Sequence, residues 1–398
     1  MAAILIFAAT YLVLAIGHLP GFRVDRTGAA IIGASLMVGC NVLPLHEAYR
    51  AIDWDTIILL FGMMIVVANL RLSGFFAVVS EWVVEHAHRP VVLLISIVGV
   101  SGFFSAFFVN DTMCMVMTPL VLDITASLRR NPVPYLLAVA MASNVGSVAT
   151  ITGNPQNMLI GSFSGIPYRR FAAALTPAAV IGLALTAAAI YLVYRREFQT
   201  GERVKVQRRE VRVNAPLLWK SVAVSAGMIA FFFAGWPVPK VALVAGAILL
   251  LTRRVKPEKV YAQVDFALLA LFAGLFVVVA GMETGPLEGH FARMAARAHL
   301  ERPLALSGLA ALLSNLVSNV PAVLVFAPFI ARLADPQRGW LALAMSSTLA
   351  GNLTVLGSVA NLIVIQRARH AAHIGFWEYA RVGIPLTVAT ILAGALLL

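Results

Sequence analysis

The sequence predicts an all-α polytopic membrane protein of two inverted repeats, each with about five spans, a re-entrant hairpin and a broken helix, organised as scaffold and mobile transport domains. Three observations lead there: long apolar runs nearly free of charge, a basic stretch at mid-chain, and polar clusters that recur in order on both sides of it. Of 398 residues, 60% are hydrophobic and 12% charged, and the mean hydropathy is +0.88. A soluble domain carries about a quarter charged residues, so a chain with half that share presents its surface to lipid.

The runs Met1–His18, Gly28–Leu45, Thr56–Leu72, Phe171–Tyr194, Leu217–Gly235, Val238–Leu251, Phe266–Gly281 and Gly383–Leu398 contain almost no charge. Most approach the roughly 20 residues needed to cross a bilayer, and none shows the polar stripe of a soluble amphipathic helix. Met1–His18 lacks a basic leading region and reads as a retained helix rather than a cleaved signal. Thirty Lys and Arg against eighteen Asp and Glu give a net charge of +12. These cations cluster in short loops, as the positive-inside rule requires, so lipid is the expected partner and nucleic acid is not. Cys40 and Cys114 lie in apolar runs and offer neither metal spacing nor a disulfide. The expected location is the cell membrane, a bacterial inner membrane, crossed many times.

The basic stretch supplies Arg195, Arg196, Arg203, Lys205, Arg208, Arg209 and Arg212. It divides the chain into a first repeat (1–194), a cytoplasmic linker (195–216) and a second repeat (217–398). Internal similarity supports the division. Ser105, Asn110 and Pro119 recur as Ser314, Asn319 and Pro328, each 209 residues later. Gly153, Asn157 and Leu159 recur as Gly357, Asn361 and Ile363 at an offset of 204, and Ser73-Gly74 as Thr284-Gly285 at 211.

Pro90–Leu128 and Pro303–Leu333 read as hairpins, each with two apolar arms around a polar tip: Asn110-Asp111-Thr112 in one, Ser318-Asn319-Val320-Pro321 in the other. With the linker inside, five spans put the N-terminus outside. Arg23, Arg26, Arg71, Arg89, Arg129, Arg130, Arg253, Arg254, Lys256, Arg367 and Arg369 then fall inside, while Arg169, Arg170, Arg293, Arg297 and Arg338 fall outside. An odd number of spans per half makes the repeats inverted, as in many secondary transporters. Hairpins that span fully are the alternative and would change the parity. Phe75–His86 and Leu287–Leu300 mix charged and apolar residues, as interfacial helices do.

Backbone breaks at membrane depth must line a protein cavity, because lipid pairs no N–H or C=O group. Gly146, Gly153, Pro155, Pro321, Gly351 and Gly357 permit such breaks. Beside them stand the candidate solute ligands: Asn110, Thr112, Ser143, Asn144, Thr152, Asn154 and Asn157 in the first half, with Ser318, Asn319, Asn352, Thr354, Ser358 and Asn361 in the second. Helix N-termini at such breaks offer free N–H groups to an anion or an electron-rich oxygen. Close helix packing is the structural alternative for any one of these small residues.

Asp111 lies at the first tip between the runs SGFFSAFFV and MCMVM, where an ionisable side chain is functional by default. Two readings stand: a proton carrier, and an N-cap for the second arm. The matching position of the second tip is Val320, so the site is chemically asymmetric. Asp123, Glu283, Asp335 and all eight histidines lie near segment ends. His46-Glu47 lacks the second histidine of a metalloprotease motif, and Phe163 stands between Gly161 and Gly165 where a nucleophile would be needed. No enzyme, metal or cofactor is expected, only a proton, or alternatively sodium, as coupling ion.

Phe108-Val-Asn-Asp-Thr112 with Thr118-Pro119, Gly153-Asn-Pro-Gln-Asn157 and the stretch from Ala350 to Ile363 resemble the ion-transporter superfamily. That superfamily contains arsenite efflux permeases, plant silicic-acid efflux transporters and divalent-anion symporters. The first string resembles the arsenite permease hairpin, and the others resemble the silicic-acid efflux branch. The resemblance spans nearly the whole chain. It implies a proton-coupled exporter, a homodimer, with a fixed scaffold and a mobile transport domain built on the hairpins. Dicarboxylate symporters carry Ser-Asn-Thr at both tips, whereas these tips read Val109-Asn110-Asp111 and Ser318-Asn319-Val320, which argues against sodium sites of that type. Two cysteines are too few for a trithiol arsenite site. The expected solute is a small oxyacid or anion: silicic acid, arsenite, a related oxyacid or an organic anion. Proton-coupled antiport leads, with anion uptake by symport and a passive channel as alternatives.

Topology is directly testable. A cysteine introduced at Val206 should react with impermeant thiol reagents only from the cytoplasm, and one at Trp236 only from outside. Labelling of both from one side contradicts the inverted arrangement.

Overall fold

A computed structural model describes residues 2–19, 21–87, 89–199, 213–283 and 300–398. Most of the basic linker, the Thr284-Gly285 match and nearly all of the amphipathic segment expected at Leu287–Leu300 lie outside them. The described residues are helical with no strand beyond a single bridge between His18 and Asp25. Lipid imposes this, because a helix satisfies its backbone polar groups internally. Among the described residues, five helices are long and apolar enough to cross a membrane: Trp54–Ser73, Pro90–Phe107, Tyr168–Val193, Ala215–Phe233 and Phe376–Leu397. Several shorter apolar helices accompany them.

The two halves repeat the same order. Ala2–Ile16, Arg26–Gly39 and Trp54–Ser73 correspond to Ala215–Phe233, Val238–Leu250 and Phe266–Glu283. Asp53 caps the third helix of one set through Thr56 N (3.1 Å), and Asp265 caps that of the other through Leu268 N (2.9 Å). Next come hairpin one (Pro90–Phe107 and Asn110–Ser127) and hairpin two (Pro303–Val317 and Asn319–Ile330). Broken helix one follows as Pro132–Ser147, the turn Ile151–Gly153 and Pro155–Ser164. Broken helix two is Pro336–Leu349, the turns Ala350–Asn352 and Val355–Gly357, and Val359–Ala368. Each half closes on a long helix, Tyr168–Val193 or Phe376–Leu397, and these two pack on each other. Gly74, at φ 88°, ends Trp54–Ser73 and turns the chain into the expected amphipathic helix Phe75–His86.

The packing is paired as well. Arg26–Gly39 packs along Phe266–Glu283, and Val238–Leu250 packs along Trp54–Ser73. At the crossings, a Cβ on Gly62 would lie 2.7 Å from the Ala242 carbonyl carbon, and one on Gly274 would lie 2.8 Å from that of Ala30. Gly62 and Ala30 are each 212 residues from their partners Gly274 and Ala242. The same close approach is therefore built twice.

Contacts also fix direction. At the two ends of the linker, Asn214 N donates to Ser73 O (3.1 Å) and Glu197 lies 4.0 Å from Arg130. Arg71 donates to Gln263 Oε1 (2.6 Å), and Thr27 Oγ1 donates to Ala267 O (3.3 Å). The end of Trp54–Ser73, the open end of hairpin one and the starts of Phe266–Glu283 and Arg26–Gly39 thus share one face, the linker face. On the opposite face Asp55 and Thr56 share a hollow with Pro237, Val238 and Pro239, while Arg170 donates to Gln337 beside the open end of hairpin two (3.4 Å). Trp54–Ser73 and its counterpart Phe266–Glu283 therefore run in opposite senses, which is an inverted repeat.

Each hairpin reverses at its tip. In hairpin one, Gly102 packs against Gly146 and Thr150 bonds Ala106 O, so the first arm runs parallel to Pro132–Ser147. The second arm runs against it, with Asn110 bonded to Asn144 (3.0 Å) and Cys114 to Val139 O (3.9 Å).

Gly62→Ala and Gly274→Ala should each destabilise the protein by about 1–3 kcal/mol, since a methyl there must push backbone apart. Gly227→Ala, where a Cβ meets nothing within 4 Å, should be neutral or slightly stabilising. Thermal unfolding in detergent measures the three.

Candidate functional site

The hairpins enter from opposite faces, and their tips meet at one cavity of about 90 Å³. Asn110 and Asp111 line it from hairpin one, and Val317, Ser318, Asn319, Val320 and Pro321 from hairpin two. Pro155 and Gln156 reach it from broken helix one, Ser358 and Val359 from broken helix two, and Leu14, Arg26, Leu268 and Leu271 from the scaffold. Four helices, Asn110–Ser127, Asn319–Ile330, Pro155–Ser164 and Val359–Ala368, therefore begin at the same cavity. Each turns the positive end of its dipole toward the cavity.

Both tips turn through unusual backbone. Val109 has φ 58° and Ser318 has φ 78°, 209 residues apart, and neither is glycine. For a β-branched residue such as Val109 this conformation is rare and costs of order 1–3 kcal/mol. Its recurrence at both tips shows that the surrounding packing enforces it.

The breaks are held by matched asparagines. Asn157 Nδ2 donates to Ser147 O and Thr150 O, both at 3.0 Å. Asn361 Nδ2 donates to the equivalent Gly351 O (2.7 Å) and Thr354 O (3.1 Å). Asn154 Oδ1 caps the helix after the first break through Asn157 N (2.8 Å), and Ser358 Oγ caps the second through Ala360 N (3.2 Å).

A buried hub joins the halves. Asn144 Oδ1 accepts from Asn110 Nδ2 (3.0 Å) and Ser358 Oγ (3.1 Å), while its Nδ2 donates to Asn352 Oδ1 (2.9 Å) and Asn361 Oδ1 (3.0 Å). That fills the side chain's hydrogen-bonding capacity. Thr348 holds the corresponding place, 204 residues on. Its Oγ1 accepts from Asn154 (3.1 Å) and Gln156 (3.2 Å) and donates to Asn157 Oδ1 (3.4 Å).

Of the residues singled out in the sequence, Asn110, Asp111, Pro155, Ser318, Asn319, Pro321 and Ser358 line the cavity. Asn157 and Asn361, expected beside Asn110 and Asn319 at its wall, lie behind it, because the severed carbonyls claim their amides. Asn144, Asn154 and Asn352 are likewise committed to the network. Thr152 bonds Tyr168 OH (2.9 Å), and Thr354 bonds Asn315 Oδ1 (3.3 Å). Ser143 serves hairpin one through its carbonyl, which accepts from Ser105 Oγ (2.6 Å). Thr112 lies in the first turn after the tip, outside the cavity lining. Gly146, Gly153, Gly351 and Gly357 lie at the breaks, where Gly153 packs directly on the Ser147 backbone and Gly357 would place a Cβ 2.7 Å from Asn315 Oδ1.

Asp111 does not cap its helix: Val109 holds the N-cap position and no side chain bonds the first turn. No hydrogen bond or ion pair engages the Asp111 carboxylate among the described residues. The Oδ1 atoms of Asn110 and Asn319 are also buried without partners. Residues that carry unmatched polar atoms thus line the cavity from both tips. Sequence reasoning missed Arg26, Gln156 and Tyr11. Arg26 had read as a loop charge, and Tyr11 OH, which donates to Pro321 O (3.1 Å), lies in an otherwise featureless apolar run.

Asn144→Ala should cost about 1–3 kcal/mol, because Asn110, Asn352 and Asn361 each lose a buried partner. Asn144→Asp, which keeps the acceptors and loses both donors, should also be less stable than the unaltered protein. Thermal unfolding in detergent reads both.

Residues 5–350 match the citrate transporter family. An uncharacterized transporter of Mycobacterium tuberculosis is 32% identical over 420 residues, covering 100% of this chain and 97% of that protein. The silicon efflux transporter of Oryza sativa subsp. japonica is 29% identical over 461 residues, covering 98% and 95%. The crystal structure of the YdaH transporter of Alcanivorax borkumensis shares the fold at a TM-score of 0.65 and 14% identity, over 99% of this chain and 95% of that one. The chain belongs to the citrate transporter family and is a multi-pass membrane transporter, not an enzyme.

Proposed function

We propose that the protein is a proton-coupled antiporter that exports a small oxyacid or anion, with Asp111 as the proton-carrying group. The convergence of four helix N-termini on the cavity that holds this unpaired carboxylate carries the reading. Solute oxygens accept hydrogen bonds from the first-turn N–H groups and from Asn110 and Asn319, where the dipoles favour negative charge. A solute hydroxyl donates to the Asp111 carboxylate. Protonation of Asp111 removes its charge and puts an O–H on the carboxyl, so a solute hydroxyl loses its charged acceptor and proton and solute compete for one site. The silicon efflux relative points to the same class by its name.

Hairpins, broken helices and the two long closing helices form the moving body in this proposal. The six remaining long helices, which pack through the Gly62 and Gly274 crossings, form the scaffold. The repeats run 1–194 and 217–398 about the linker, and a homodimer joined through the scaffold is the expected assembly.

The family description favours a second reading, proton-linked uptake of a citrate-like anion. There an anion beside Asp111 would raise the carboxyl's proton affinity, so that solute and proton travel together. The two differ in sign. Acid outside solute-loaded vesicles accelerates efflux by an antiporter and retards efflux by a symporter. The expected result is acceleration, measured with a panel of silicic acid, arsenite and citrate, with and without sodium. Asp111→Asn keeps the side chain's shape and cannot ionise. It should retain exchange and lose the response to the proton gradient, and an unaltered response would contradict the carrier role.

A further inference from the structure

We infer that Arg26 is a charge-selecting residue of this cavity and acts at the linker face alone. The inference rests on the transport reading and adds a residue to it. Arg26 begins helix Arg26–Gly39 on the scaffold and is the one basic side chain among the residues lining the cavity. Its Nε donates to Leu14 O (3.1 Å), which anchors the guanidinium to the preceding helix. Its two Nη atoms have no partner among the described residues. The neighbouring carboxylate is engaged elsewhere, since Asp25 Oδ1 caps the helix through Gly28 N (2.8 Å). No ion pair joins Arg26 to Asp111 across the cavity. A guanidinium anchored at Nε, with free Nη donors and no carboxylate in ion-pair contact, therefore borders the cavity, suited to one oxyanion group of a solute.

The inverted repeat supplies the second half of the inference. The residue equivalent to Arg26 is Val238, 212 positions later, which begins its own helix on the opposite face. Val238 lines a hollow of about 380 Å³ with Asp55, Thr56 and Leu59. That hollow ends at Ile151 and Met158 and includes neither hairpin tip. Its counterpart positions carry no cation. When the cavity faces the linker side, an anionic solute meets Arg26. When it faces the other side, the solute meets Val238. Anions are therefore held more tightly at the linker face, while uncharged solutes experience little difference.

The test is exchange in proteoliposomes of known protein orientation, with citrate as the anionic probe and silicic acid as the uncharged one. Arg26→Gln should raise the half-saturating citrate concentration at the linker face by about tenfold, the loss of one charge-assisted contact. The value at the opposite face should move by less than about twofold, and Arg26→Lys should fall between. Val238→Arg provides an independent arm and should lower the half-saturating citrate concentration at the opposite face. An equal change at both faces in Arg26→Gln, or no change at either, overturns the assignment. Exchange of silicic acid without any exchange of citrate overturns it too, and leaves the transport reading standing. A proton gradient is absent throughout, so the result is independent of the coupling assigned to Asp111.

Discussion

A helix that stops inside a membrane leaves backbone carbonyls and N–H groups that lipid cannot pair, each costing several kcal/mol if left alone. Here two asparagines meet that constraint at equivalent places. Asn157 and Asn361 each bridge two carbonyls across a break, and the cap that starts the next helix is supplied by Asn154 in one half and Ser358 in the other. With the carbonyls paired within the protein, the helices that follow begin at the cavity with the positive ends of their dipoles toward it. The breaks thus turn the severed acceptors into the structure and the dipole ends toward the cavity.

The Asn144 hub makes the two breaks interdependent. It links the hairpin-one tip to broken helix two, so residues from opposite halves share one hydrogen-bond network. Low dielectric strengthens such a network when it is complete and penalises it when a member is missing. This accounts for strained backbone at Val109, next to Asn110: the network holds a conformation the residue would otherwise leave. The Oδ1 atoms of Asn110 and Asn319 are buried without partners in the two tip residues that line the cavity.

The repeats, the tips and the breaks were legible in the sequence because polar residues in an apolar background have few structural uses. Asn110 and Asn319 could be paired by offset alone. The Gly62 and Gly274 crossings were not, since a glycine among leucines and valines carries no sign of what approaches it. Asn157 and Asn361 were found, yet their task could not be read, because a solute and a severed carbonyl ask for the same amide. Arg26 escaped for a different reason. Loop cations satisfy the positive-inside rule wherever they lie, and only the fold shows that this one borders the cavity while Val238 takes its place across the repeat.

The central claim is that the hairpins move against the scaffold so that one cavity serves both faces. Tyr11 OH donates to Pro321 O at 3.1 Å and so bridges scaffold and hairpin two. Cysteines placed at Tyr11 and Pro321, with Cys40 and Cys114 replaced by alanine, can be joined by a short cleavable bis-maleimide and solute exchange measured before and after cleavage. Exchange should stop on cross-linking and return on cleavage, with either single-cysteine variant unaffected. Full exchange in the cross-linked protein would contradict the claim.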